Sequence, residues 1–429
     1  MTAKKRYAVC GVSGRGIHMF IGALQKKFRE QGEIVAMLDI DARRFEVCCE
    51  QFPDMKQIPT FIGEDSFDDM VAKTNPDTVI VTSMDRTHVI YILKALAKNL
   101  NVICEKPMVT TSEDCRRVLE AEKQSKGRVT VTFNYRYAAH CRKVKELILE
   151  GKVGRITSVD LNWYIDTYHG ASYFKRWNRM RENSGGLSIH KSTHHFDLVS
   201  WWLDQKPVEV FAFGALNYFG ANGETNPLKG DGRHCGTCAV RNDCAYYMRW
   251  AARSATQGPK DDHLGTVKAA YTNYRPDMCI FDSAINIEDT YTAAIKYDKG
   301  ALFSYSVNFS APYEGFLAVI NGTKGRIELN VNHAVSRTPF PAKEYTLSYM
   351  PLFGGARDMI DVLEREGGHG GADPILQEDL FLGPDPKRGY EIMSNANVGA
   401  MAVCTGEAVW KSVKEKRSVT IAELLKEFY

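Results

Sequence analysis

Residues 1–137 alternate between short apolar runs and amphipathic stretches of helical length. Apolar runs lie at Arg6–Val12, Glu33–Asp41 and Asp77–Ser83. Stretches with helical spacing separate them, the first around His18–Glu30. Strands that alternate with helices of this size are typical of a doubly wound parallel sheet. The sequence therefore predicts an α/β domain over residues 1–137.

Beyond residue 137 the pattern changes to longer runs in which apolar and polar residues alternate with a period of two. This period is typical of strands with one buried face and one solvated face. The turn residues Asp298–Gly300 and Gly322–Gly325 predict hairpins. We therefore expect residues 138–429 to form an α+β domain on a large, mainly antiparallel open sheet. The predicted strands lie at 156–165, 208–219, 289–310 and 316–330.

Several other segments have clear local signals. Ser112 is placed as the N-cap of a helix that ends before Gly127. A second, mostly apolar helix is predicted to start at Leu187 and continue past Trp202. Two stretches rich in glycine are predicted to be loops, at 221–260 and at Gly354–Asp373.

Composition places the 429-residue chain among soluble globular proteins of two or three domains, with 44% hydrophobic and 25% charged residues. The net charge of +3, without a stripe of lysine and arginine, argues against a nucleic-acid partner. The apolar runs are of strand length, well short of the roughly 20 residues that span a bilayer. No secretory leader is evident at the N-terminus. These features predict a cytoplasmic protein without a membrane partner.

Eleven cysteines, an odd number in a long chain, argue against a complete disulfide framework. Three of them, Cys235, Cys238 and Cys244, have C-x2-C-x5-C spacing in a polar segment next to His234. This spacing suits a structural zinc site, although no fourth ligand is evident. Free thiols or a single disulfide are the alternative.

A glycine-rich turn stands between the first predicted strand and the first helix. Gly11, Ser13, Gly14, Arg15 and Gly16 occupy the place where a dinucleotide pyrophosphate meets a helix N-terminus, although Ser13 replaces one glycine of the usual fingerprint.

Asp39, at the end of the second predicted strand, stands where an acid binds the ribose diol of NAD. Its charge would repel a 2′-phosphate, so NAD is favoured over NADP. The neighbouring Arg43 and Arg44 leave that preference open.

Three motifs carry a resemblance to a known family: "SMDRTH" at Ser83–His88, Glu105-Lys106-Pro107 and "FNYRY" at Phe133–Tyr137. Together they resemble the glucose–fructose oxidoreductase/inositol dehydrogenase (Gfo/Idh/MocA) family. The resemblance implies an NAD-binding Rossmann domain at 1–137 and a substrate-binding and oligomerisation domain at 138–429. It also implies that Ser83, His88, Glu105 and Asn134 lie at the cofactor, and that Lys106 lies at the reacting hydroxyl. A desolvated lysine there can accept the hydroxyl proton or stabilise the developing oxyanion.

The segment "GGLSIHKSTHHFD" at Gly185–Asp197 holds three histidines and Lys191. By position in the family pattern, His194 is the catalytic histidine and Asp197 the acid that follows it, which is expected to bind the substrate, to orient the site or to pack. His190 stands where the family commonly has aspartate. It could hydrogen-bond substrate hydroxyls, serve a structural role, or ligate a metal together with His194 at i, i+4. His195 is expected to pack or to support the site.

Other candidates for sugar binding follow the last strand of the first domain or lie in aromatic segments further along. They are Tyr135, Arg136, Tyr168, His169, Trp177, Arg179, Arg181, His369 and Asp373. Aromatic faces stack on sugar C–H surfaces, and arginines bind hydroxyls or an acid group. An amphipathic surface segment is the alternative for the stretch from Tyr168 to Arg181.

The resemblance implies a dehydrogenase that transfers hydride between nicotinamide and a secondary hydroxyl of a sugar, glycoside or polyol. The alternative is a glycosidase that retains NAD and acts by transient oxidation and elimination. A non-catalytic nucleotide-binding protein is a third possibility, against which the Lys106/His194 pair argues. A homodimer or homotetramer formed through the open sheet is expected.

Overall fold

The computed structural model describes residues 3–247, 275–333, 335–362 and 368–429, without the side chains of Arg337 and of residues 368–370. Two sheets organise these residues. In chain order the strands are β1 (Lys5–Cys10), β2 (Gly32–Asp39), β3 (Thr60–Ile62), β4 (Thr78–Val81), β5 (Asn101–Cys104), β6 (Val129–Val131), β7 (Ile156–Asp166), β8 (Pro207–Ala215), β9 (Thr290–Tyr297), β10 (Leu302–Ala311), β11 (Glu314–Gly322), β12 (Gly325–His333), β13 (Tyr345–Pro351), β14 (Asp358–Ile360), β15 (Ser394–Asn395) and β16 (Val419–Thr420).

Helices cover the sheets and connect their strands. They are α1 (Gly22–Lys26), α2 (Arg43–Gln51), α3 (Phe67–Thr74), α4 (His88–Ala97), α5 (Ser112–Gln124), α6 (Ala139–Leu149), α7 (Thr167–Lys175), α8 (Arg181–Ser184), α9 (Leu187–His190), α10 (Thr193–Leu203), α11 (Gly368–Leu382), α12 (Ala396–Glu415) and α13 (Ile421–Leu425). A π-helical turn, Gly16–Ile21, precedes α1.

The first sheet has the strand order β15-β6-β5-β4-β1-β2-β3. Strands β1 to β6 are parallel, and only β15 runs antiparallel. The central strand β4 has all four side chains buried, as expected where helices cover both faces of a sheet. The predicted doubly wound parallel sheet is confirmed.

The second sheet has the order β14-β13-β12-β11-β7-β10-β9-β8-β16 and is antiparallel apart from the β7–β10 pair. Burial alternates along β9, β10 and β12, so that one face packs on the core and the other faces outward. The predicted antiparallel sheet and both hairpins, at Asp298–Gly300 and Gly322–Gly325, are confirmed.

The helix predicted to run unbroken from Leu187 is interrupted, so this prediction is wrong. The α9 helix ends at His190, and α10 begins at Thr193. The Ser192 hydroxyl and N–H both donate to the carbonyl of Leu187, and the Thr193 hydroxyl donates to the carbonyl of Ile189. Such side-chain bonds compete with regular helical pairing. His190 and His194 therefore belong to different helices.

The predicted glycine-rich loop at Gly354–Asp373 is also wrong in its last part. Helix α11 begins at Gly368, so Asp373 is helical. In the predicted loop at 221–260, the described part contains short turns at Cys235–Thr237 and Arg241–Asp243, and residues 248–260 lie outside the described residues. Within the described parts of the chain, no helix combines the length and apolar character needed to cross a membrane.

Candidate active site

The glycine-rich turn is shaped by close backbone approach. Gly11 has a φ of +90°, and a Cβ there would overlap the backbone of Ser83. A Cβ at Gly16 would overlap the hydroxyl of Thr82. Ser13, which breaks the glycine pattern, accepts a hydrogen bond at its Oγ from the Gly16 N–H (3.1 Å) and so supports the start of the helical turn. Glycine at positions 11 and 16 thus allows the backbone of the turn to lie closely against Thr82 and Ser83.

Asp39 lies at the carboxyl end of β2 and is almost fully buried. Its carboxylate accepts hydrogen bonds from the N–H groups of Val12 (2.7 Å) and Asp41 (3.1 Å). A cavity of about 390 Å³ lies beside it, lined also by Gly11, Ser83 and the exposed side chain of Ile40. An acid at this strand end, next to an apolar wall, fits the adenosine half of NAD.

A network of ion pairs joins the glycine-rich turn to the C-terminal half of the chain. Arg15 donates to Glu105 (2.8 Å) and, through two nitrogens, to Asp373 of α11 (2.9 and 3.2 Å). The Asn134 amide also donates to Asp373 (2.9 Å). Arg15, Glu105 and Asn134 line the cavity described next. Helix α11 therefore holds these residues at the cofactor side of the site.

A cavity of about 720 Å³ lies between the carboxyl ends of the first sheet and the helices α7, α9 and α10. Six of the eleven histidines line it: His88, His140, His169, His190, His194 and His333. Lys106 also faces it, and its Nζ donates to the carbonyl of His190 (3.1 Å). Burial lowers the pKa of Lys106, which brings its amine closer to accepting a proton.

His190 is held by two side chains. Its Nδ1 lies 2.5 Å from a carboxylate oxygen of Asp85, and its Nε2 lies 3.1 Å from the amide nitrogen of Asn178. Because Asn178 donates to Nε2, this network assigns the proton to Nδ1, which donates to Asp85. Burial lowers the pKa of His190, and Asp85 opposes this shift. Asp85 thus places a carboxylate beside His190.

His194 lies in the first turn of α10, where the ring of Tyr135 meets it edge-on (4.8 Å between centroids). Both residues line the large cavity together with Lys106. Trp177 lines this cavity and the smaller one beside Asp39. The structure therefore brings Lys106, His194, Tyr135, Trp177 and His190 together.

The far wall of the large cavity combines buried charges and rings. Glu314 accepts a hydrogen bond from His169 (2.9 Å), and this neighbour holds the Glu314 pKa at about 2 against the effect of burial. Burial lowers the pKa of His333 to about 3 and that of Lys191 to about 8. At neutral pH the His333 ring is neutral, whereas Lys191 carries a positive charge.

Several sequence predictions do not lead to the cavity. Arg136 and Asp197 form a buried two-point ion pair (2.6 and 2.7 Å) and line a different cavity, so the structure corrects their assignment to substrate binding. Gly14 lines neither of the two cavities. His369 lies in α11, but its side chain is outside the described part of the structure.

Three further candidates in the aromatic segment also lie elsewhere. Arg179 pairs with Asp282, and Arg181 pairs with Glu288. Tyr168 packs against the core without lining the cavity.

Two predicted residues have mainly supporting positions. His88 is buried, with Nδ1 2.9 Å from the carbonyl of Pro107 and Nε2 3.1 Å from that of Ser83, so it joins the two loops that carry the family motifs. His195 stacks on Trp163 (3.9 Å between centroids) and bonds to the Tyr305 hydroxyl (2.8 Å), as expected for a packing residue.

The prediction of a structural zinc site is not supported. Cys235, Cys238 and Cys244 line one small cavity, joined by Cys279, which the sequence spacing did not reveal. All eleven cysteines are free thiols. Within the described residues, however, no three His, Cys, Asp or Glu side chains are arranged to hold a metal ion. His190 uses both ring nitrogens in hydrogen bonds to Asp85 and Asn178, which argues against its interpretation as a metal ligand.

Sequence reasoning missed the partners that distant segments bring to the cavity. The cavity is lined by four residues that the sequence did not indicate, Asp85, Asn178, Glu314 and His333. It is also lined by Lys191, for which the sequence predicted no role of its own. Asp85 was within reach of prediction, because it stands inside the "SMDRTH" motif. No local pattern marks Glu314 or His333, which lie at the ends of β-strands.

Comparisons with known proteins agree with this architecture. Residues 5–133 match the NAD-binding Rossmann fold of the Gfo/Idh/MocA oxidoreductase family, and residues 145–421 match its C-terminal alpha/beta domain.

Two curated relatives differ in how much of the chain they match. The chain is 58% identical to "Putative oxidoreductase YteT" of Bacillus subtilis over 98% of both chains. It is 35% identical to inositol 2-dehydrogenase of Gluconacetobacter diazotrophicus over 30% of this chain and 37% of that protein.

Among solved structures, the aldose-aldose oxidoreductase of Caulobacter crescentus superposes with a TM-score of 0.63 at 16% identity, covering 97% of this chain and 100% of the other. At this identity the likeness concerns the fold. Taken with the family matches to both halves of the chain, it completes the assignment: the chain belongs to the Gfo/Idh/MocA family of oxidoreductases.

Proposed function

We propose that the protein is an NAD-dependent dehydrogenase that transfers hydride between nicotinamide and a secondary hydroxyl of a sugar, glycoside or polyol. One observation carries the proposal. Lys106 and His194, two groups able to exchange a proton, face one cavity that also reaches Ser13 and Arg15 of the glycine-rich turn. A substrate in this cavity would therefore lie next to both the proton acceptor and the cofactor.

NAD is the cofactor that the residues favour. When bound, the nicotinamide accepts the hydride of the substrate carbon. The glycine-rich turn would hold the pyrophosphate, and Asp39 the ribose diol of the adenosine half. Arg44 Nε lies 3.9 Å from the Asp39 carboxylate, but the carboxylate itself still opposes a 2′-phosphate. We therefore propose NAD rather than NADP.

The chain supplies the proton transfer. Burial lowers the pKa of Lys106, so its amine is better able to receive or share the hydroxyl proton than an exposed lysine is. His194, beside Tyr135, is the second group that can take up the proton. Asp85 and Asn178 orient His190, whose carbonyl in turn positions the Lys106 ammonium group.

The relatives support the substrate class. The inositol 2-dehydrogenase of Gluconacetobacter diazotrophicus is named for a cyclic polyol. The large cavity, with histidines and aromatic rings in its walls, offers hydrogen bonds to hydroxyls and apolar faces to ring C–H groups. A carbohydrate or polyol ring meets both requirements.

The test follows the absorbance of the reduced nicotinamide when NAD and a panel of sugars, polyols and aryl glycosides are added to the purified protein. Lys106→Ala and His194→Ala should each lower turnover by about 10²-fold or more, while NAD affinity changes little. Lys98→Ala, which removes a lysine whose ion pair with Asp68 is exposed, serves as the control.

Two results would contradict the proposal. Near-normal turnover of both variants would remove Lys106 and His194 from the chemistry. Release of an aglycone without net reduced nicotinamide would favour instead the glycosidase that retains NAD.

A further inference from the structure

We propose that the substrate of this site is a carbohydrate that carries a carboxylate, such as a hexuronic acid, and that Lys191 binds this carboxylate. The inference rests on the proposed dehydrogenase function and names the substrate class of the same cavity. It comes from a charge in the wall that makes no hydrogen bond within the described part of the chain.

Lys191 lies in the break between α9 and α10, and only 5% of its surface is exposed. Its Nζ lies 5.6 Å from the centroid of the Tyr135 ring and 5.6 Å from that of the Trp163 ring. Within the described part of the chain it makes no hydrogen bond, and no carboxylate lies within the 4.0 Å of an ion pair. A buried ammonium group that lacks such a partner is costly, so it marks a place where an anion is expected to bind.

The acids that line the cavity are already paired with other groups. Asp85 pairs with His190, Glu105 with Arg15, and Glu314 with His169. Glu314 attracts Lys191 through space but does not bond to it. Four lysine and arginine side chains line the cavity, against these three acids. Among the described residues, Lys191 is therefore a cation of this wall without a bonded acid, whereas Lys106, whose Nζ donates to a carbonyl, is the lysine assigned to the reacting hydroxyl.

The position of Lys191 relates the charge to the reacting hydroxyl. Lys106 donates to the carbonyl of His190, the residue directly before Lys191. Lys106 also lowers the pKa of Lys191 through space. One segment therefore places both in the same cavity, and a single small molecule can present a hydroxyl to Lys106 and an acid to Lys191.

A carboxylate suits this place better than a phosphate ester. A phosphate dianion is commonly held by several donors or by a two-pronged arginine. Near Lys191 the neighbouring His333 ring is neutral, because burial lowers its pKa to about 3. The Lys191 Nζ, which lies near two aromatic rings, matches one singly charged carboxylate, which makes a strong charge-assisted hydrogen bond when water is excluded.

The test measures equilibrium binding by titration calorimetry on the protein saturated with NAD. The ligands are galacturonate and glucuronate, the matching neutral sugars galactose and glucose, and glucose 6-phosphate. We expect at least one uronate to bind tenfold or more tightly than its neutral counterpart and than the phosphate ester. Equal affinities for acid and neutral sugars, or tighter binding of the phosphate ester, would overturn the proposal.

Variants assign the effect to Lys191. Lys191→Met should remove the preference for the uronate and leave the affinity for the neutral sugar within about twofold. The matched control is Lys145→Met. Lys145 is also buried with a lowered pKa, but its Nζ donates to the Trp201 carbonyl at a different cavity. An unchanged preference in Lys191→Met, or an equal loss in the control, would contradict the role of Lys191.

The outcome for the proposed function is read separately. If uronates bind through Lys191 but no reduced nicotinamide forms with any ligand, the carboxylate site stands and the dehydrogenase proposal fails. If neutral polyols are oxidised and uronates show no preference, the dehydrogenase stands and the carboxylate site fails. If Lys191→Met does not fold, the comparison of ligands on the unmodified protein still decides.

Discussion

His190 shows how one residue change is compensated by another segment. The family commonly has an acid at this position, and a histidine there would leave the site without its carboxylate. Asp85, in the turn before α4, supplies one next to His190. The pair keeps an acid in the site, now acting through an imidazole ring whose orientation Asn178 also fixes.

The first prediction concerns this pair. Asp85→Asn should lower kcat by about 10²-fold, because the neutral amide holds the Nδ1 proton of His190 more weakly than a carboxylate and does not balance the charge near Lys106. The variant should also lower the pKa of His190 further, since Asp85 is what raises it against the effect of burial. Steady-state kinetics across pH measures both effects.

The control is Asp68→Asn, which removes an exposed carboxylate paired with Lys98. It should leave kcat and its pH profile unchanged. If Asp85→Asn has normal kcat and an unaltered profile, Asp85 has no part in positioning the site.

Lys191 leads to a prediction about stability. Its pKa is about 8 in the fold, below the 10.5 of an ordinary lysine. Between these values the unfolded chain binds more protons, so stability rises with pH through this window, and the full cost is present below pH 8. Since one pKa unit corresponds to about 1.4 kcal/mol, the cost is of the order of 3 kcal/mol.

Lys191→Met should therefore increase the free energy of unfolding by about 1–3 kcal/mol at pH 7, with the gain shrinking towards pH 10.5. Urea unfolding of both proteins at pH 7 and pH 9.5, without ligand, measures the difference. A loss of stability at pH 7 would mean that the ammonium group supports the fold rather than awaiting a ligand.

At the residue scale, the family motifs located residues that face the cavity, whereas partners that come from distant segments were missed. Lys106 and His194 were both predicted to face the site, and both line the cavity. Asp85, the partner of His190, lies 105 positions away in the chain. Glu314, the acid that attracts Lys191, belongs to β11 of the second sheet. Arg136 and Asp197 were expected at the substrate because no sequence signal shows that they pair with each other.

At the scale of elements, the glycine-rich turn has two glycines with opposite roles. Gly11 has a left-handed φ and touches the backbone of Ser83, whereas Gly14 has open space where a Cβ would lie. Gly11→Ala should cost about 2–5 kcal/mol of stability and weaken NAD binding, because both the backbone strain and the overlap must be relieved.

Gly14→Ala is the matched control and should change stability by less than about 0.5 kcal/mol, with NAD affinity retained. Thermal unfolding and NAD titration of both variants test the pair. Similar behaviour of the two variants would mean that the close approach to Ser83 is not what requires glycine.

Element boundaries were predicted where backbone chemistry is local and missed where side chains redirect it. The helix predicted to be capped by Ser112 is capped instead by Thr111, whose hydroxyl accepts the Asp114 N–H, and Ser112 bonds to Glu407. Hydroxyls at Ser192 and Thr193 break a helix that its apolar pattern favours. Glycines near 368 suggested a loop, although the segment from Gly368 is helical.

At the scale of the whole molecule, both sheets followed from periodicity, because burial on two faces or on one face leaves a direct trace in the sequence. The contacts between the two halves of the chain could not be predicted in this way. Helix α11 and strand β15, both late in the chain, pack on the first sheet or extend it. The predicted domain boundary at residue 137 did not anticipate that these late segments pack on the first sheet.

The outward face of the second sheet supports the expected oligomer. Phe213 of β8 and Leu302 of β10 are 69% and 58% exposed there, and exposed apolar patches commonly mark interfaces. We propose that a second copy covers this face. Phe213→Lys should lower the mass measured by light scattering. Leu149→Lys, which also replaces an exposed apolar residue by lysine but at the end of α6, should leave the mass unchanged. A monomeric unmodified protein would refute the proposal.

The antiparallel edge strand β15 has a consequence for how the protein is made. Ser394 and Asn395 pair with Val131 and Thr130, and so cover the outer edge of β6. A ribosome releases β6 long before it reaches residue 394, and domains generally begin to fold during synthesis. Until then the nascent nucleotide-binding half carries an unpaired strand edge, which invites pairing with neighbouring chains. The period between these two events is therefore the stage of synthesis at which a chaperone would protect the growing chain most.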